Sequence, residues 1–209
     1  MSQHNGSEPT LRAYGGEAGD ARVARRRAAL IDAALDMLAE ADGGAVTVRG
    51  VCARAELTPR YFYESFPGVD DLVAATYDRV ITEIAEKAQL AFAAGEASQD
   101  KVRGAVDAVV EVIDSDRRAG RLLFADTVRS PVVARKRAES VRLFVQLTTE
   151  SAVQAVGAPP GPVTTAAAYF QVGGLGRLLA AWTEGEVEVT RIQLVDVCVR
   201  LLLGLGSLP

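Results

Sequence analysis

Twenty-six residues, Thr47 to Leu72, constrain the fold of this chain more than any other part of it: TVRGVCARAELTPRYFYESFPGVDDL. Thr47 suits a helix N-cap, because its hydroxyl can accept a free backbone N–H. Val48, Val51, Cys52 and Ala55 then recur at helical spacing on one face. Thr58 is a second cap, and Pro59 falls at the first helical position, where a missing N–H costs nothing. Phe62 and Phe66 are four apart, so they share a face and anchor this second helix in a core. Pro67-Gly68 stops it, and Asp70 and Asp71 sit in the first turn of a third helix, where the dipole favours negative charge. The pattern is two short helices joined by a tight turn, followed at once by a longer one.

A helix-turn-helix reads the DNA major groove mainly through residues at the N-terminus of its second helix. Those positions here are Thr58, Pro59, Arg60 and Tyr61. Arginine can make bidentate hydrogen bonds to guanine, and tyrosine can donate to a phosphate or pack on a thymine methyl. The spacing is equally compatible with a helical hairpin in an ordinary all-α core, with Arg60 and Tyr61 merely solvated.

From about Arg22 to Leu72 the chain resembles the DNA-binding domain of TetR-family transcriptional regulators. The segments TVRGVCARAELT, PRYFYESF and PGVDDL follow that family's helix, turn, recognition helix and helix-4 start. The resemblance implies an all-α protein: a three-helix DNA-binding domain over residues 21–67, and a larger helical effector-binding and dimerisation domain over 68–209. It implies that Thr47 and Arg49 lie near phosphates, and that Thr58, Arg60 and Tyr61 face base edges and the flanking backbone. Tyr63 would reach a phosphate through its hydroxyl with its ring packed inward, and Phe62 and Phe66 would be structural. Two positions depart from the family. Its turn glycine is Glu56 here, costing about 1 kcal/mol if the left-handed turn is kept. Its helix-4 lysine, a phosphate contact, is Val69. Both predict weaker nonspecific affinity and a flatter salt dependence.

The formal charge of -4 argues against bulk electrostatic binding of nucleic acid. Between Ala21 and Pro67 seven arginines face six acids, a local excess of only +1, yet four arginines cluster from Arg22 to Arg27. Cys52 and Cys198 both fall in apolar helical patterns, as buried thiols of a reducing compartment do. No apolar N-terminal run suggests a signal peptide, and the most apolar stretch, Leu194 to Leu205, is too short to span a membrane. A cytoplasmic protein is expected.

Residues 1–20 are polar and Gly/Ser-rich, and are expected to form a mobile tail carrying the only histidine, His4. Helices are expected over 22–41, ended by Asp42-Gly43-Gly44, then over 69–94, 101–114, 118–129, 131–156, 163–184 and 189–206. The basic run Arg135-Lys136-Arg137 reads as a solvated helix face.

The helix over 163–184 holds Gly173, Gly174 and Gly176, each costing about 1 kcal/mol relative to alanine. Close approach of another helix offsets such a cost. The last helix is apolar over a wide arc that includes Leu194, Cys198, Leu201, Leu202 and Leu205. The pair is expected to form a homodimer interface as a four-helix bundle, and the resemblance implies the same. The alternative is two core helices of a monomer. A two-fold dimer calls for a roughly palindromic operator in double-stranded DNA. Tyr77, Phe92, Val109, Ile113, Phe124, Phe144, Leu147, Tyr169 and Trp182 are the candidates for lining a small-molecule pocket, with an apolar or aromatic effector expected. The resemblance implies a repressor released from DNA by that effector, with coupling through the helix that starts at Val69.

An enzyme fits poorly. The sequence has no Gly-rich phosphate loop after a strand, no metal-ligand cluster, no G-x-S-x-G elbow and no histidine outside the tail. No cofactor is expected. The more serious alternative is a helical ligand-binding or interaction protein that has lost specific DNA binding, suggested by Glu56, Val69 and the acidic balance.

Overall fold

The computed structural model describes residues 16–40, 45–125 and 127–206, except the side chains of 16–18, 155, 156, 205 and 206. The described residues form nine helices and no strand: α1 (Gly16–Leu38), α2 (Val48–Arg54), α3 (Pro59–Ser65), α4 (Val69–Ala94), α5 (Ser98–Ser115), α6 (Arg117–Phe124), α7 (Pro131–Val156), α8 (Pro162–Thr183) and α9 (Arg191–Gly206). The bounds of α4 and α7 match the sequence expectation. α1 begins at Gly16, so residues 16–20 are helical rather than part of a tail. His4, the Asp42-Gly43-Gly44 turn and the Leu205 side chain lie outside the described residues.

Local chemistry explains most of the ends. The Thr47 hydroxyl accepts the Gly50 N–H at 3.0 Å and caps α2. Asp116 caps α6 by accepting the Arg118 N–H at 3.0 Å. Ser130 caps α7 ahead of Pro131, and Gly157 closes that helix in the left-handed region at φ 65°. Thr190 and Gln193 form a reciprocal capping box before α9: Gln193 Oε1 accepts the Thr190 N–H at 3.0 Å and Thr190 Oγ1 accepts the Gln193 N–H at 3.3 Å.

α6 ends at Phe124, five residues before the expected Arg129. Arg137 is the partner that finishes it. Its guanidinium donates to the carbonyls of Leu122 at 2.8 Å and Ala125 at 2.9 Å at the helix end, the latter also accepting the Val128 N–H at 3.3 Å. Of the basic run, only Arg135 therefore behaves as a solvated face. Lys136 is largely covered and pairs with Asp78 and Glu139.

Three apolar clusters organise the molecule. The first joins α1, α2 and α3 through Leu30, Ala34, Val51, Phe62 and Phe66, and is closed by Leu72 of α4. The expected boundary at residue 67 thus cuts through a shared core. The second places Leu35 and Leu38 of α1 against α4, α6 and the start of α7. The third packs α5 against α8 and α9 through Val106, Val110, Leu179, Leu194 and Cys198. α1 contributes to the first two, so the N-terminal unit and the body share both α1 and α4. Where α5 crosses α4 the approach is close enough to require Gly104: a Cβ there would sit 2.9 Å from the Ala91 carbonyl oxygen.

Candidate nucleic-acid interface

α3 is locked from below and open above. Phe62 is fully buried and Phe66 nearly so, with ring centres 6.1 Å apart. Thr58, Pro59 and Arg60 are exposed at the N-terminal end of the same helix. Thr58 has the extended backbone of an N-cap, but its hydroxyl makes no capping bond, contrary to expectation. Pro59 and the main-chain geometry start the helix without it, so the hydroxyl of this exposed residue has no capping role.

The turn between α2 and α3 is left-handed without a glycine. Glu56 has φ 55°, and no other described non-glycine residue has positive φ. Leu57 N–H returns to the Cys52 carbonyl at 2.9 Å, closing the end of α2. Val69 is half-buried and packs against both the first and second clusters. A side chain that joins two cores there replaces the family's phosphate-contacting lysine.

One ring departs from what the resemblance implies, and two neighbouring side chains have partners within the protomer. Tyr63 is 62% exposed rather than packed inward; its ring meets Phe62 nearly at right angles, with centres 5.3 Å apart. Tyr61 is half-buried, and the Arg26 guanidinium lies 4.2 Å over its ring. Arg60 is 84% exposed but its Nε donates to Glu64 at 3.0 Å. Glu64 also pairs with Arg26 at 3.6 Å, and Arg27 stacks on Phe66 at 4.5 Å. Sequence reasoning recognised the Arg22–Arg27 cluster only as charge. Two of its members hold α3 through aromatic faces, a contact that spacing within α1 does not reveal. Thr47 and Arg49 are exposed near the start of α2.

An ionic hub ties this unit to the body. Arg118 of α6 donates to Asp36 at 2.5 Å and Asp32 at 3.2 Å, both on α1, and to Asp116 at 2.8 Å. Arg79 of α4 approaches Asp32 at 3.7 Å. The hydrogen bond from Arg118 holds the Asp116 carboxyl below the usual carboxylate range. The same partners, with Asp116 first, push the Arg118 guanidinium up.

The nine candidate pocket residues divide between two apolar clusters and the ground outside them. Tyr77, Phe124, Phe144 and Val109 belong to or border the second cluster, and Ile113, Trp182, Val109 and Phe124 the third. Phe92, Leu147 and Tyr169 fall in neither, and Tyr169 is 51% exposed. Two polar groups have structural partners. The Tyr77 hydroxyl lies 3.0 Å from Ser140 Oγ, which itself donates to the Arg137 carbonyl, so Tyr77 is the donor. Burial pushes its phenol up. Trp182 Nε1 donates to the Val189 carbonyl at 3.0 Å. A surface groove of about 630 Å³ between α1 and α4 involves none of the nine.

The expected dimer surface also divides. Leu194 and Cys198 lie inside the protomer's own third cluster, so they offer no face to a partner. Leu202 packs against that cluster as well. Leu201 is exposed, as are Phe170 of α8 and Ile192 of α9. A Cβ built on Gly173, Gly174 or Gly176 meets nothing within 4 Å. Both cysteines are free thiols, and burial pushes both up. No helix among the described residues is long and apolar enough to cross a membrane.

Comparison with known proteins agrees with this architecture. Residues 30–76 match the family model for bacterial regulatory proteins of the tetR family. No curated protein matches the chain by sequence. Among solved structures, the fatty acid degradation regulator FadR from Bacillus halodurans superposes with a TM-score of 0.73 at 17% identity, over 88% of this chain and 96% of that one. FadR from Bacillus subtilis, in complex with stearoyl-CoA, gives 0.69 at 14% identity over 84% and 96%. A TetR-family transcriptional regulator from Streptomyces coelicolor gives 0.67 at 21% identity over 88% and 95%. The segment that matches the tetR family model ends inside α4, and the fold of these solved structures extends over the remaining helices.

Proposed function

We propose that this protein is a cytoplasmic, homodimeric transcriptional repressor that leaves a roughly palindromic operator when a small apolar or aromatic effector binds. The observation that carries the reading is the division of α3: Phe62 and Phe66 are sealed in the core while Thr58, Pro59 and Arg60 stand exposed at its N-terminal end. That end of the second helix is the part that enters the major groove. Thr47, Arg49 and Tyr63 flank it as phosphate contacts, and Tyr61 adds a base or backbone contact.

Val109 and Phe124 border both the second and third clusters and are half-buried. Parting those clusters is the proposed route to an effector pocket, with Tyr77, Ile113, Phe144 and Trp182 as its walls. The stearoyl-CoA in the B. subtilis structure is one example of a bound molecule with a large apolar part. Coupling to DNA runs through α4 and through the Arg118 hub on α1. The effector must bind the released state more tightly than the DNA-bound one for this to work.

The test is recovery of genomic fragments by the purified protein at about 0.15 M salt, followed by sequencing, because specific binding has to survive screening there. A palindromic motif, abolished by Arg60→Ala with Tyr61→Ala in a protein that stays folded and dimeric, supports the regulator. Recovery of nothing by folded dimer favours a helical ligand-binding protein without specific DNA affinity, for which Glu56 and Val69 speak.

A further inference from the structure

We propose that Glu64 is a positioning residue for DNA reading, holding Arg60 by its Nε so that the two terminal nitrogens face outward as a fork for guanine. The inference rests on the proposed DNA-binding role of α3. A guanidinium has five N–H donors in a rigid plane, and guanine O6 and N7 are met by a parallel pair of them. Arg60 spends its Nε donor on Glu64 Oε1 at 3.0 Å. The opposite, terminal edge of the plane remains for a base. The Arg60 side chain is 84% exposed, so the described residues leave most of the guanidinium open.

An exposed i,i+4 pair is weak by itself and would orient Arg60 only loosely. Here Glu64 has a second anchor. Arg26 reaches the other carboxylate oxygen at 3.6 Å and lies over the Tyr61 ring at 4.2 Å, so α1 braces the carboxylate from the far side. The chain of contacts runs from α1 through Arg26 and Glu64 to Arg60. A long side chain held before binding loses less rotamer freedom on contact, and this gain is realised only when the fork meets its matching base. Against it stands the negative charge of Glu64 beside phosphates, which weakens binding to every sequence alike. Affinity and discrimination therefore move in opposite directions when Glu64 is changed, which a merely structural residue would not do.

The experiment is selection from randomised duplexes by the full-length protein, followed by binding isotherms on the selected and a scrambled duplex. Wild type, Glu64→Ala, Glu64→Gln and Arg60→Ala are compared. Glutamine keeps an acceptor oxygen for Nε and removes the charge. The expected result is that Glu64→Ala binds scrambled DNA more tightly but loses about tenfold in preference at one guanine, the size of a weakened bidentate contact. Glu64→Gln keeps that preference within about threefold and also gains nonspecific affinity. If Glu64→Ala keeps the wild-type preference while Arg60→Ala loses it, the positioning role is overturned and DNA reading stands. If Arg60→Ala changes nothing, or the wild type selects no motif, the base-reading role of α3 falls and the inference with it.

Discussion

At the scale of single residues, the two departures from the family pattern turn out to be different kinds of change. Glu56 takes the left-handed turn that a glycine would take, at φ 55°. For a residue with a Cβ this costs about 1–2 kcal/mol, and glycine gives back about 0.5–1 of that through its freer unfolded state. Glu56→Gly is therefore expected to stabilise the protein by about 0.5–1 kcal/mol, read as a higher urea midpoint at unchanged slope. Val69 was legible as a lost phosphate contact, but not as an apolar link between two clusters. Val69→Lys restores one cation near the start of α4. Its stem can lie along the apolar surface with the ammonium in water. The expected outcome is a log–log salt dependence of operator binding steeper by about 0.9, the signature of one more neutralised phosphate. An unchanged slope would mean that the start of α4 does not approach DNA.

Among the helices, what could be read from the sequence was whatever neighbouring residues decide. Pro131 at the first turn and Gly157 past the last one bracket α7, and the gap after Ala94 ends α4; both helices have the bounds their sequences imply. α6 was overextended because its end is set by Arg137, which takes the Leu122 and Ala125 carbonyls from a different helix. The hub on Arg118 was invisible for the same reason, since Asp32 and Asp36 are more than eighty residues away in sequence. It joins α1 to α6 by charge-assisted hydrogen bonds, and Arg118→Ala is expected to cost about 1–2 kcal/mol at pH 7. The pH dependence has a definite sign. Arg118 lowers the Asp116 carboxyl in the folded state. Its contribution is thus complete above the ordinary aspartate value of about 3.9 and disappears as pH falls through the lowered folded value. Urea midpoints of wild type and variant should lie apart at pH 7 and converge below about pH 4. A gap that persists undiminished at pH 3 would show that ionisation of Asp116 contributes nothing to the hub.

For the whole molecule, the question left by the protomer is why α8 tolerates three glycines. Among the described residues of one chain they have no steric purpose: no Cβ built at Gly173, Gly174 or Gly176 comes within 4 Å of a neighbour, whereas one at Gly104 would strike α4. In a monomer, replacing each by alanine would raise stability by roughly 1 kcal/mol through helix propensity alone. In the proposed dimer the open space beyond them is filled by the partner's helix, and an added side chain holds the helices apart. The two readings therefore predict opposite outcomes for one substitution. Gly174→Leu is expected to leave the protomer folded, with undiminished helicity by circular dichroism, and to shift sedimentation from dimer to monomer at micromolar concentration. Operator affinity should fall with it, because two recognition helices on one dimer address two half-sites while a monomer addresses one. The exposed Phe170, Ile192 and Leu201 would then face water, so the monomer should also be less soluble than the wild type. A Gly174→Leu protein that is more stable, unchanged in mass and equally tight on DNA would place the subunit contact on another face. In the sequence the glycines and the apolar arc of α9 already pointed to this surface. Which apolar residues of that arc face outward was not legible, because Leu194, Cys198 and Leu201 follow one another at helical spacing and only the packing of α5 decides that the first two are claimed by the protomer itself.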